Sequence, residues 1–146
     1  MPAANVETRS IVVERLMAHP AEKIWRALTE STLIADWLMQ NDFAPVVGHR
    51  FNFRARPIPN MWNGVTDSEV LEVDPPRRLV YSWNASGEEA AGGLKTIVTW
   101  TLTPEPGGVR VRMEQAGFRP QDEGGFRSMG GGWPRILERL EEVAGA

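Results

Sequence analysis

The chain contains no cysteine, which removes disulfides, thiolate metal ligands and a cysteine nucleophile together. Histidine is almost as scarce. His19 and His49 lie far apart, so a metal centre would have to draw on carboxylates, and no ligand spacing suggests one. No metal and no cofactor is therefore expected. No stretch of about 18 apolar residues exists that could span a bilayer. Residues 1–10 also lack an apolar run followed by a small-residue cleavage site, so a cytoplasmic protein with no membrane partner is expected. Lysine is rare as well, with 2 against 14 arginines, but the arginines are interleaved with acids and the formal charge is −3. That is opposite to the basic footprint of a nucleic-acid binder, and Arg54, Arg56, Arg110 and Arg112 read as a solvated strand face.

What remains is one domain's worth of chain, 146 residues, read as a single domain over 1–146 with its core over 9–144. Its unusual feature is tryptophan: six, against one tyrosine and five phenylalanines. Trp25, Trp37, Trp62, Trp83, Trp100 and Trp133 are spread along the whole sequence. Composition leaves open whether they fill a core or line a cavity.

Residues 9–17 (RSIVVERLM) are rich in β-branched side chains and stop at a His19-Pro20 turn, which predicts a strand. Pro20 then opens a short helix with Ile24, Trp25 and Leu28 on its inner side, where Trp25 reads as a core residue. Ser31 is the expected N-cap of a second short helix reaching about Leu38, with Leu33, Ile34, Trp37 and Leu38 as its buried stripe. From His49 the period becomes two: Phe51 and Phe53 alternate with Arg50, Asn52 and Arg54. Further strands are predicted at 65–74, 78–84, 94–103 and 109–116, separated by Pro75-Pro76, a Gly/Ala/Glu-rich turn and a hairpin signal at 104–108. Val109, Val111, Met113 and Gln115 share one face. Helical spacing returns in Phe126, Met129, Trp133, Ile136, Leu137, Leu140 and Val143. Gly130-Gly131-Gly132 and Pro134 interrupt it, which leaves two readings: a kinked helix, or a loop followed by a short helix starting near Trp133. The three glycines also suit a lid that bends to admit a ligand.

The order of strand, two short helices, antiparallel strands and long last helix is that of the helix-grip fold, an α+β arrangement of about six curved strands around the C-terminal helix. The segments PAEKIWRALTESTLIADWL, SEVLEVDPPRRLVYSW, TIVTWTLTPEPGGVRV, QAGF and GGWPRILERL resemble successive motifs of the SRPBCC (START-like, birch-pollen-allergen-like) superfamily. They are most similar to the domain family named for the activator of the heat-shock chaperone ATPase. Position by position, the first-helix tryptophan is Trp25, the second-helix aromatic Trp37, the aromatic pair Tyr81 and Trp83, and the Gly-Trp of the last helix Gly132-Trp133. Many relatives carry histidine where this chain has Gln115, three residues before Phe118. A neutral amide there can orient a ligand but cannot act as a general base near neutral pH. Pro134, directly after the Gly-Trp, is a second departure.

The resemblance implies a small apolar molecule held between sheet and last helix. The residues expected to face it are Phe51, Phe53, Tyr81, Trp83, Trp100 and Met113 from the sheet, and Phe126, Met129 and Trp133 from the helix. Trp62 is placed near the mouth, and Gln115, Tyr81 and Asp67 supply polar groups. The plain alternative is that these side chains fill one another's space.

Three functions follow. The first is a binder of a small hydrophobic or aromatic molecule without catalysis. The second is a cyclase- or hydrolase-like enzyme with Asp67 or Glu69 as base, which requires one of them to point inward; the parity is open, because a bulge near Val70 would switch it. The third, implied by the family name, is a chaperone-stimulating interaction domain in a stress response. A homodimer through strand edges or apolar helix surface is compatible with the sequence. No serine sits in a nucleophile motif, and GGFRSMGGGW does not fit a phosphate-binding loop, so nucleotide binding is not expected.

Overall fold

A computed structural model describes residues 7–146; residues 1–6, part of the stretch read as carrying no leader, lie outside the described residues. Strand β1 (Arg9–Met17) leads into helices α1 (Ala21–Thr29) and α2 (Ser31–Trp37), followed by β2 (Gln40–Asn41), β3 (Arg50–Arg54), β4 (Val65–Asp74), β5 (Arg78–Ala85), β6 (Lys95–Glu105), β7 (Gly108–Phe118) and α3 (Glu123–Gly145). All seven strands form one antiparallel sheet in the order β1-β7-β6-β5-β4-β3-β2. The sheet curves around α3, which is the helix-grip fold. Among the described residues no helix is long and apolar enough to cross a membrane.

The alternation in the sequence becomes the two faces of the sheet. Phe51, Phe53, Val70, Tyr81, Trp83, Val98, Trp100, Val111, Met113 and Gln115 are buried against the helices. The opposite face carries ion pairs such as Arg78 Nε to Glu72 at 3.1 Å and Arg112 Nη1 to Glu114 at 2.9 Å.

Four sequence expectations need correction. The sheet has one strand more than the six anticipated, because β2 is two residues long and shows no periodicity. It is held by Asn41, whose Nδ2 donates to the Ser31 and Met39 carbonyls at 3.1 and 3.0 Å. Ser31 does not cap α2. Glu30 holds that position, and the Ser31 hydroxyl donates to the Asn41 carbonyl at 3.0 Å instead. Trp25 is only half-buried and packs at the margin of the core.

The fourth correction concerns α3, where of the two readings the loop before a short helix is the one set aside. The helix runs unbroken through Gly130, Gly131, Gly132 and Pro134. Each interior glycine costs about 1 kcal/mol relative to alanine and an interior proline about 3. Tertiary contacts offset this: Trp133, Leu137, Leu140 and Ala144 are buried, and Glu123 at the start pairs with both Arg9 and Arg127.

Candidate functional site

The tryptophans meet in a chain of rings. Trp37 packs edge-on against Trp100 with centroids 5.6 Å apart, Trp100 against Trp133 at 5.9 Å, Trp133 against Trp83 at 5.7 Å, and Trp83 against Phe53 at 4.9 Å. Phe51, Phe53 and Tyr81 complete the cluster at 5.1 to 5.8 Å. Buried indole N–H groups need acceptors. Trp37 Nε1 donates to the Ala27 carbonyl at 2.8 Å and Trp100 Nε1 to the Tyr81 hydroxyl at 2.9 Å. Trp133 Nε1 donates to Gln115 Oε1 at 2.9 Å. Gln115 Nε2 continues to Thr96 Oγ1 at 3.0 Å, and that hydroxyl donates to the Trp83 carbonyl at 2.7 Å. One polar thread therefore runs from the Trp133 indole to the Trp83 backbone.

This cluster fills the middle of the space between sheet and helix. Toward the start of α3 the filling stops, and a cleft of about 480 Å³ opens. Trp83 and Trp133, buried on their other sides, form its inner wall, with Thr66 and Ala85 beside them. Leu38 and Met39 close one side after α2, and Leu94 closes the side after β5. Ile58, Met61 and Trp62 form the outer lip, where Ile58 and Met61 are 46% and 56% exposed, so the cleft is open to water there. This lip is a tight loop: Ile58 and Trp62 exchange backbone hydrogen bonds at 2.8 and 2.9 Å, and Trp62 Nε1 donates to the Val65 carbonyl at 3.1 Å.

Helix α3 presents Gly125, Ser128, Met129, Gly132, Trp133 and Ile136 to the cleft, the residues of one helical face. The two glycines make room. A Cβ built at Gly125 or Gly132 meets nothing within 4 Å. At the helix start, Asp122 is bound by its neighbour Arg119, with Nε to Oδ2 at 2.8 Å and Nη2 to Oδ1 at 2.9 Å. The guanidinium holds the Asp122 carboxyl below the usual carboxylate range. The same Arg119 donates to the Gly93 carbonyl at 2.8 Å, tying the β5–β6 connection to the turn that precedes α3.

Of the twelve residues expected at the site, Trp62, Trp83, Met129 and Trp133 line the cleft. Phe51, Phe53, Tyr81, Trp100, Met113 and Gln115 are in the packed interior instead, because the rings fill the space in front of them. Burial pushes the Tyr81 phenol well above its ordinary value. Phe126 turns to the other side of α3, 5.3 Å from Phe118 and under the Arg9 guanidinium. Asp67 and Glu69 point away from the helix. A bulge after Val70 sets the parity, with Thr66, Ser68 and Val70 inward, so Asp67 accepts from Asn52 Nδ2 at 2.6 Å and Glu69 pairs with Arg50 on the outer face. The inward carboxylate required by the cyclase- or hydrolase-like reading is not supplied by β4.

The sequence reading missed Leu38, Met39, Ile58, Met61, Leu94 and Ile136, and the roles of Gly125 and Gly132 as space. The spacing of seven between those glycines, two turns of one helical face, was the available signal.

A family model described as Activator of Hsp90 ATPase homolog 1-like protein matches residues 18–145. Protein MLL2253 of Mesorhizobium loti is 50% identical, with 92% of this chain and 96% of that one covered and a TM-score of 0.83. BH1534 of Bacillus halodurans shares the fold at 24% identity, covering 93% and 96%, with a TM-score of 0.75. So does a protein described as the Aha1 dimer of Colwellia psychrerythraea, at 20% identity over 93% and 96%, with a TM-score of 0.77. No curated protein matches the chain.

Proposed function

The chain belongs to the family of Activator of Hsp90 ATPase homolog 1-like proteins, and we propose that it binds a small hydrophobic molecule in the cleft between the first half of α3 and the β3–β4 and β5–β6 connections. The observation that carries this reading is an open space of about 480 Å³ beside an otherwise close-packed aromatic core. That volume is within the range of ligand pockets, and its walls are mostly apolar with a few polar groups at the edge. A protein gains nothing in stability from leaving Ile58, Met61, Met129 and Ile136 partly uncovered around the cleft, whereas a ligand that covers them removes that apolar surface from water.

Binding without chemistry is the reading favoured here. Of the two carboxylates at the cleft, Asp122 is committed to Arg119 and Glu89 is exposed at the rim. The test uses N-phenyl-1-naphthylamine, an uncharged fluorescent aromatic, followed by quenching of tryptophan emission. Saturable binding that Gly132→Leu abolishes is expected. Absence of saturable binding, or affinity unchanged by Gly132→Leu and Gly125→Leu together, would overturn the reading.

A further inference from the structure

We propose that the cleft selects against anions: its ligand is a flat aromatic molecule that is uncharged or carries a hydrogen-bond donor at its outer end, and a carboxylate or sulfonate on the same skeleton is rejected. This rests on the cleft being a ligand site.

The charge distribution carries the inference. The chain has 14 arginines and 2 lysines, yet among the described residues no arginine, lysine or histidine lines the cleft. Its charged residues are Glu89 and Asp122, and the rest of its polar groups are neutral: Thr66, Asn84, Gln121 and Ser128. The guanidinium of Arg119, in the turn before α3, is consumed. It holds Asp122 through two hydrogen bonds at 2.8 and 2.9 Å and donates to the Gly93 carbonyl. Glu89, in the short turn Gly87–Glu89, forms no ion pair among the described residues. It therefore presents an unpaired carboxylate at the rim, able to accept from a ligand hydroxyl or amine.

An anionic ligand entering this cleft loses its hydration without gaining a cationic partner, and it approaches like charge at the rim. A neutral aromatic meets only favourable contacts. Trp62, Trp83 and Trp133 border it with aromatic rings, and Met39, Met61 and Met129 offer polarisable thioethers that adapt to a flat surface.

A matched pair of probes tests the charge alone. N-Phenyl-1-naphthylamine and 8-anilino-1-naphthalenesulfonate share a ring skeleton and differ by one sulfonate. The neutral probe is expected to bind the full chain at least about tenfold more tightly than the sulfonate at low salt. Glu89→Lys, at an exposed position, is expected to tighten sulfonate binding severalfold relative to the neutral probe, so that the ratio of the two affinities narrows. Added salt should erase that gain. Sulfonate binding as tight as that of the neutral probe, both lost in Gly132→Leu, would overturn the charge selection while leaving the cleft as the site. Failure of both probes to bind would overturn the cleft reading itself, and this inference with it.

Discussion

Trp133 on α3 donates its indole hydrogen to Gln115 Oε1 on β7 at 2.9 Å, so a ring that walls the cleft is oriented by an amide that never reaches it. Gln115 is fully buried and its Nε2 is bound to Thr96. Replacing it by leucine keeps the volume roughly but leaves the Trp133 N–H without an acceptor. We expect Gln115→Leu to lose about 1–3 kcal/mol of unfolding free energy in urea. The near-ultraviolet circular dichroism should change with it, since Trp133 sits in a ring cluster.

Gly132 offers the opposite combination. An added methyl meets no atom within 4 Å and raises helix propensity, so Gly132→Ala should gain up to about 1 kcal/mol. A larger side chain at the same place projects into the cleft. Gly132→Leu should therefore retain or raise the melting temperature while losing probe affinity. A loss of both together would mean that the helix, not the cleft, had been damaged.

Tyr81 separates the core from the cleft. Its hydroxyl accepts from Trp100 at 2.9 Å deep in the cluster, so Tyr81→Phe should cost about 1–3 kcal/mol in stability and leave probe affinity unchanged. As the chain's single tyrosine, it also gives a clean titration. Burial raises its folded value above the ordinary 10.0, so the folded state favours the neutral phenol. Stability is retained below pH 10 and falls as the pH rises above it. Absorbance near 295 nm should stay flat past the usual tyrosinate range and rise only with unfolding.

Asp122 acts at the acid end. The Arg119 hydrogen bonds lower its carboxyl relative to the unfolded chain. Its contribution is present above the ordinary carboxylate value and is lost as the pH falls through the depressed one. Hydrogen exchange at the start of α3 should quicken in that window before the rest of the helix responds. Asp122→Asn should quicken it at neutral pH.

Asp67 and Glu69 provide a negative control. Both side chains are on the outer face of β4, so Asp67→Asn with Glu69→Gln should leave the affinity for the neutral probe unaltered in the same fluorescence titration.

Much of the fold was legible because its signals are local. The period-two alternation of β3 to β7 and the turn residues between the strands each require only neighbouring side chains. What could not be read depends on long-range contacts. β2 exists through Asn41 and its pairing with Phe53 and Arg54, and α3 persists through glycines and a proline because its inner side is buried. For the site, alternation correctly placed Phe51, Tyr81 and Trp100 on the inner face, but a face is not a cavity. Whether a ring touches a ligand or another ring is decided by what stands opposite it. Here Trp100 meets Trp37 and Trp133, while Trp83 and Trp133, though buried, also border the cleft. The direction of Asp67 turned on a bulge after Val70 that no periodicity marks.

The six indole N–H groups give the most direct measurement. In a ¹⁵N-labelled sample, with resonances assigned by single Trp→Phe variants, N-phenyl-1-naphthylamine should shift the cross-peaks of Trp62, Trp83 and Trp133 saturably, while Trp25, Trp37 and Trp100 stay in place. Movement of Trp37 and Trp100 with the other three unmoved, or no saturable shift in any indole, would contradict a ligand site at this end of the helix.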